Sequence, residues 1–408
     1  MRAFGAPRGA ETTLLGPGRT RPPRGRAMRP RLFVVVMGLV IVAGLVCVDL
    51  RPVLAGEQPS VSGYKVLEPI RHGSLTVFPV VAPKSYATDE FLTLDEGLRS
   101  GEVVVTEYGN VRGLMRRRLT PALQHDGAEV NRLVLINNSK RPLLLLAGEI
   151  VTGGKQDRVI GKDRIVPAES DPVDLSVFCV EPSRWVATSS QFGTSGATYG
   201  KNQIQGAASG TLMAQPSVRA KAMGDKDQNQ VWAEVRKQQQ SMETVEVTAA
   251  APQVNTDEIR STSSYARVME NKDVKEKVDE IAKPIERNYQ SLIKQLRDRK
   301  AVGVVVAVNG RIIWADVFAS TDLLERYWPK LVRSYASEAV VTRAKGGEAS
   351  LPQAEAFLED MDGRRETIES EPGVYRHTEV NGDGFKAFAL TSLLPKTGFD
   401  VHVAKMAE

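Results

Sequence analysis

Between Leu75 and Val180 the chain is written as short apolar runs cut by turn residues: LTVFPVVAP, GEVVVTEYG, VNRLVLINNS, PLLLLAG, DRIVPAE and VDLSVFCVE. Little helical periodicity lies between them. Strands of this length and spacing bury their apolar faces by closing on one another, as an antiparallel sandwich or barrel. One segment, FLTLDEGLRSG at 91–101, reads as a short helix inserted among the strands.

The second half changes period. Val274, Val278, Ile281, Ile285, Tyr289, Leu292 and Leu296 recur at steps of three and four, which keeps them on one face of an α-helix. Pro284 falls inside that pattern and is expected to kink or split it. VWAEVRKQQQ predicts another helix ahead of it. AVGVVVAVNGRIIWADVF then reads as two strands joined by Asn309-Gly310, the strongest short-range hairpin signal, because both turn positions tolerate positive φ. Ser320 or Thr321 is placed to cap DLLERYW, and Pro329 to open a fresh helix, KLVRSYASEAVV. The tail returns to strands in EPGVYRHTEV, FKAFALTSLL and FDVHVAK.

The fold class predicted is therefore α+β. An N-terminal antiparallel β-sandwich or barrel-like domain covers 60–186, and a mixed helical and β-hairpin region covers 228–408, sizes ordinary for domains. Between them, 187–227 is rich in Ser, Gly, Thr, Ala and Gln and reads as a linker or lid.

The first 55 residues stand apart. Residues 1–31 hold eight arginines and one acid, Glu11, and 32–48 (LFVVVMGLVIVAGLVCV) run 17 residues without a charge. Val53-Leu54-Ala55 then suits signal peptidase, so the chain is expected to be exported to the periplasm or outside the cell. The alternative is an uncleaved anchor tethering the protein to the membrane by 32–48, a length near the lower limit for a span. Met28 begins a tidier leader than Met1. Of 54 basic and 49 acidic residues, nine and two lie in this leader, leaving 45 against 47 and a net of −2. The basic footprint of a nucleic-acid binder is thus absent from the body, and no nucleic-acid partner is expected. The patch Arg112 and Arg116-Arg117-Arg118 reads as a solvated strand or turn. Beyond the leader only Cys179 remains, so no internal disulfide is expected.

LLLLAGEIVTGGKQDRVIGKD, residues 143–163, begins like a phosphate-binding loop. A P-loop needs Gly, four residues, then Gly-Lys-Ser/Thr before a helix, so that amides cradle phosphate and a hydroxyl reaches magnesium. Here Gly154 intervenes before Lys155, Gln156 replaces the hydroxyl, and the continuation is strand-like. The stretch reads instead as a hairpin across Gly153-Gly154, with Thr152 facing Lys155 and Glu149 opposite Arg158 as a cross-strand pair. Lys155 through Arg158 are more polar than a plain return strand needs, which makes them candidates for lining a site. In FCVEPSRW, residues 178–185, only four residues separate Cys179 from Arg184, and Pro182 has no amide to give, so the phosphatase loop is excluded. Cysteine in an apolar strand is most often buried and inert. No HExxH, His-x-His, paired cysteine or GxSxG occurs, so the sequence names no metal site, catalytic residue or cofactor.

Four ordered blocks, LLLLAGEIVTGGKQDRVI, VFCVEPSRW, GVVVAVNGRIIWADVF and YWPKLVRSYASEA, resemble those of the ARG and rhodanese-phosphatase-superfamily-associated protein domain family, across most of 65–345. The matching positions centre on Gly148-Glu149, Gly153 to Arg158, Cys179 to Glu181 with Arg184-Trp185, Tyr327-Trp328, Arg333 and Glu338. Pro182 and Ser183 depart from the glycine expected before Arg-Trp, and 235–260 reads as an insertion. The family name implies association with ADP-ribosylglycohydrolases and phosphatase-like proteins, hence a link by association to nucleotide chemistry. Two functions follow from the residues. In one, Glu149, Lys155, Gln156, Asp157, Arg158, Glu181 and Arg184 line a polar cleft for a small polar or phosphorylated ligand, as alternating carboxylates and arginines would suit. In the other, the protein is a non-enzymatic envelope or interaction protein and those residues pair with one another. Whether the chain is an enzyme is not legible in the sequence.

Overall fold

A computed structural model describes residues 63–108, 129–193, 198–199, 204–205, 212–245, 256–295, 300–342 and 347–408. The Arg112 and Arg116–Arg118 patch, the leader, and 194–197, 200–203 and 206–211 of the 187–227 stretch lie outside the described residues.

The class is α+β, with antiparallel β-structure in both halves. Six strands close into a barrel in the order Phe192–Gly193, Val103–Glu107, Arg132–Asn137, Val173–Cys179, Arg158–Ile160, Glu149–Gly153 and back to Phe192–Gly193. Val105, Leu133, Leu135, Val151, Ile160, Leu175, Val177 and Phe192 form its core. Closure pairs Glu149–Gly153 with both Arg158–Ile160 and Phe192–Gly193. The inserted helix is Leu94–Ser100. Thr93 and Glu96 form its capping box and Gly101, at φ 72°, ends it in the left-handed region.

A second, wider antiparallel sheet has nine strands. Its main order is Lys65–Val66, Leu75–Ala82, Lys300–Val308, Arg311–Phe318, Asp400–Ala407, Phe385–Ser392, Tyr375–Gly382 and Gly363–Glu371, with Ile70–His72 also on Leu75–Ala82. The Asn309-Gly310 hairpin forms as predicted, with both residues at positive φ. One face of this sheet packs on the helices Lys272–Gln295 and Thr321–Val341, the other on Leu351–Glu359. Strands covered on both faces read as continuous apolar runs, which is why AVGVVVAV does not alternate. Leu75–Ala82 lies in this sheet and not in the barrel, so the regions predicted at 60–186 and 228–408 share one core.

Neither helix proline divides its helix: Pro329 opens no fresh one, and Pro284 does not split the pattern it interrupts. Thr321–Val341 is one helix through Pro329, capped by Ser320, and Lys272–Gln295 is one helix through Pro284. The carbonyls that each proline leaves without a helical partner belong to Glu325 and Glu280, exposed residues on the solvent side of each helix, where an unpaired acceptor costs little. Burial of the other faces then outweighs a local cost of about 3 kcal/mol. The stretch predicted as linker also carries structure. Phe192–Gly193 closes the barrel, Leu212–Met213 pairs with Glu149–Gly153, and Pro216–Ala220 is a short helix that runs into the π-helical turn Lys221–Asp225.

Candidate functional site

The hairpin after Gly148 is wider than its sequence suggests. Val151 pairs with Arg158 and Ile150 with Val159, a register two residues away from a turn closed at Gly153-Gly154. Side chains take the loop amides that a tight turn would have left to the ladder. Asp157 Oδ1 accepts from Gly153 N (3.0 Å), Ser189 Oγ from Gly154 N (3.0 Å), Glu107 Oε1 from Lys155 N (2.7 Å) and Glu181 Oε2 from Asp157 N (3.1 Å).

Four of the predicted residues meet here. Arg184 donates to both oxygens of Glu181 (2.8 and 2.6 Å) and to the carbonyls of Gly154 and Val186 (2.9 and 2.8 Å), and it lies 3.4 Å from Asp157. Gln156 Nε2 donates to Glu181 O (3.0 Å), and Ser264 Oγ donates to Asp157 Oδ2 (2.7 Å) while capping Tyr265–Glu270. Burial, and after it the Glu181 carboxylate, push the Asp157 carboxyl up. Burial opposes the Arg184 charge, but its bonds to Glu181 outweigh it and raise the guanidinium. This knot locks the hairpin by spending its polar groups on one another. Lys155 and Arg158 flank the ring of Trp185, at 4.9 and 5.9 Å from its centroid. Arg158 is fully buried, donates to Val130 O (2.7 Å), and burial lowers its pKa.

Glu149 does not join this group, and the expected Glu149–Arg158 pair does not form. Glu149 accepts from Leu146 N (2.8 Å) and from Lys330 Nζ (2.5 Å), and Lys330 also reaches Asp95 (2.7 Å). Burial opposes the Lys330 charge, but Asp95 and Glu149 overcome it and hold the ammonium above its ordinary pKa.

A second buried network ties the barrel to the wide sheet. His402 lies between Asp163 (Nδ1 to Oδ2, 2.6 Å) and Asp316 (Nε2 to Oδ1, 3.1 Å). Arg219 donates two bonds to Asp316 (2.8 and 2.9 Å), and the Tyr335 hydroxyl donates a third. All five side chains are buried. Burial alone would neutralise them. The two carboxylates instead raise His402 to about 9, while His402 and Arg219 hold Asp163 and Asp316 below the usual carboxylate range. Gly148 (φ 96°) makes this possible, since a Cβ there would stand 2.6 Å from Arg219 Cγ.

Beside this network, between barrel and wide sheet, lies a cavity of about 270 Å³. The barrel contributes Lys162, Ser176 and Phe178, and the π-helical turn contributes Met223 and, just past it, Lys226. The wide sheet contributes Ile368, Glu369, His377 and Phe388. His377 is 1% exposed, and neither ring nitrogen has a hydrogen-bond partner among the described residues. Burial lowers it to about 4 despite Asp163 nearby, so the imidazole is neutral at pH 7, with one donor and one acceptor. Buried polar atoms are almost always paired, so an exception on a cavity wall calls for an explanation. Two backbone irregularities line the same space. Lys226 has φ 54°, and the pairing of Gly363–Glu371 with Tyr375–Gly382 slips at Ile368. π-turns and β-bulges both concentrate at functional sites.

The family model for the ARG and Rhodanese-Phosphatase-superfamily-associated Protein domain matches residues 63–405. The chain belongs to that family. No curated protein and no solved structure matches it. The matched span of this associated-protein domain extends past the four sequence blocks to the C-terminal strands, so both walls of the cavity fall inside it.

Sequence reasoning did not single out His377, Lys162 or Glu369, nor Asp163, Arg219, Asp316, Lys330 and His402. One signal was present: Asp316 and His402 are charged or ionisable residues set inside apolar strand runs. Arg219 carried none, because it stands in the stretch read as a linker. Cys179, the one free cysteine among the described residues, is buried, and burial raises its thiol pKa, which favours the inert form.

Proposed function

We propose that the domain binds a small polar organic ligand in the cavity between barrel and wide sheet. The observation that carries this reading is His377, a buried and neutral residue of the cavity wall whose ring nitrogens are both unpartnered among the described residues. The walls are mostly apolar, with ionisable groups supplied by Lys162, Lys226, Glu369 and His377, the usual division of labour in a ligand site. The test is a thermal-shift screen of small acids, amides, nucleotides and sugars. A ligand at a hundred times its Kd stabilises by about 2.7 kcal/mol. That shift is expected to vanish in Ser176→Trp, which fills the cavity from an exposed lining position. A shift untouched by Ser176→Trp overturns this placement.

A second reading keeps the ligand at the hairpin. Arg158 Nη2 and Glu107 Oε2 are buried and have no partner among the described residues, which leaves a donor and an acceptor for a small polar ligand near the hairpin. Under it the shift is lost in Arg158→Gln and kept in Ser176→Trp. Export is also proposed, on the leader pattern alone. Among the described residues no helix is long and apolar enough to cross a membrane. N-terminal sequencing of the protein from cell fractions tests it, and a chain beginning at Met1 or Met28 in the cytoplasm overturns it.

A further inference from the structure

Glu369 stands on the wall of the cavity. Lys162 Nζ and the Tyr375 hydroxyl each bond one of its carboxylate oxygens, and Arg164 lies 3.9 Å away. An ammonium, a phenol and a guanidinium around two oxygens form a built receptor for a carboxylate. His377 is the direct cross-strand neighbour of Glu369, on the strand that pairs with it, and adds an unpartnered donor on the same cavity.

The charge balance favours a monoanion. Lys226 is already paired with Glu379 (2.7 Å), and Arg164 is shared with Glu371 (3.8 Å). After burial, Arg164 and Lys226 are the groups that press the Lys162 ammonium toward neutrality. One added carboxylate is matched there. A phosphate dianion carries a second charge, and among the described residues the other cations at this corner are already shared with Glu371 and Glu379. Phe178, Met223 and Phe388 offer an apolar body a wall, while the polar groups gather around Glu369.

Glu369 is also free to leave. It sits on Gly363–Glu371, the last strand of the wide sheet, paired on one side only and interrupted at Ile368. Most of that strand is exposed or half-buried, and the Glu369 side chain is 24% exposed. Swinging it outward dismantles no core cluster and leaves Lys162 and His377 lining the cavity, with Tyr375 and Arg164 beside the vacated position.

We propose that the ligand is an organic monocarboxylate with an apolar body, and that Glu369 occupies its carboxylate subsite in the free protein as a built-in competitor. This rests on the cavity being the ligand site. The affinity of the domain is then set by exchange of one carboxylate for another, so removing the internal one tightens binding.

Calorimetric titration of the full chain tests this with phenylacetate, hexanoate, phenylacetamide and phenyl phosphate as probes. The expected result is that Glu369→Gln binds phenylacetate or hexanoate at least tenfold more tightly than the wild type. Phenylacetamide should bind at least tenfold more weakly than phenylacetate, and Lys162→Met should erase that preference. Glu369→Ser repeats the measurement with a shorter side chain, and circular dichroism checks that each variant is folded. Failure of both Glu369 variants to bind either carboxylate, or equal affinity for acid and amide, overturns the proposal. So does phenyl phosphate binding as tightly as phenylacetate. If acid and amide bind equally and Ser176→Trp abolishes both, the cavity reading stands while the carboxylate exchange falls. If binding survives Ser176→Trp, both fall.

Discussion

At the scale of single residues, the largest effects concentrate where charges are buried in sets. His402 is raised to about 9 from an ordinary 6.5 by Asp163 and Asp316. Its contribution to stability is therefore complete below pH 6.5 and disappears as pH rises through about 9. Asp163 and Asp316 are lowered, so their contribution is present above the ordinary carboxylate pKa and is lost on acidification. Urea midpoints across neutral to alkaline pH should show wild type and His402→Gln converging as pH rises. Near neutrality the substitution should cost roughly 3–5 kcal/mol, the usual cost of breaking a buried ion pair on one side. Lys330→Met should cost a similar amount, because it strands Glu149 and Asp95, and a thermal melt suffices to see it. Gly148→Ala combines a strained φ with a clash on an immobile Arg219, and should lower stability by at least about 2 kcal/mol.

At the scale of elements, the helices and the Asn309-Gly310 hairpin follow the sequence closely, and the misplaced boundaries share one cause. A proline, a Ser/Gly-rich segment and a Gly-Gly pair are local signals, and each was overridden by contacts from far along the chain. Pro329 lies on the exposed side of a helix whose other residues pack against the wide sheet and the barrel. Pro329→Ala should accordingly stabilise by about 1–3 kcal/mol in urea unfolding, by restoring a helical hydrogen bond. Unchanged or reduced stability would mean that the proline serves as a helix start. The Gly153-Gly154 turn widened because Glu107, Asp157, Glu181 and Ser189 supply acceptors to its amides, and none of these is a hairpin residue by propensity alone.

At the scale of the molecule, the body from Pro59 to Glu408 is one compact unit. One core cluster joins Leu75, Leu144 and Ile165 from the first half to Val304, Tyr327 and Ala404 from the second. Residues 60–186 expressed alone should thus fail to fold, giving collapsed amide dispersion in NMR spectra. The whole body should unfold in one transition, seen together by tryptophan fluorescence and circular dichroism. The cavity belongs to this scale as well, since its walls come from positions as far apart as Lys162 and Phe388.

The sequence by itself determined the α+β class, the strand-rich first half, the long amphipathic helix and the Asn-Gly hairpin, because these depend on period and turn chemistry within a few residues. It also selected a true cluster in Gln156, Asp157, Glu181 and Arg184, whose polarity exceeds what a strand needs. Only the tertiary structure decided that those groups satisfy one another, that Glu149 belongs to Lys330, and that Leu75–Ala82 leaves the barrel for the other sheet. It alone brought Lys162, Glu369 and His377 to one cavity. A charge in a sequence has no partner until the chain folds, and long-range pairing sets which charges are quenched and which stay available.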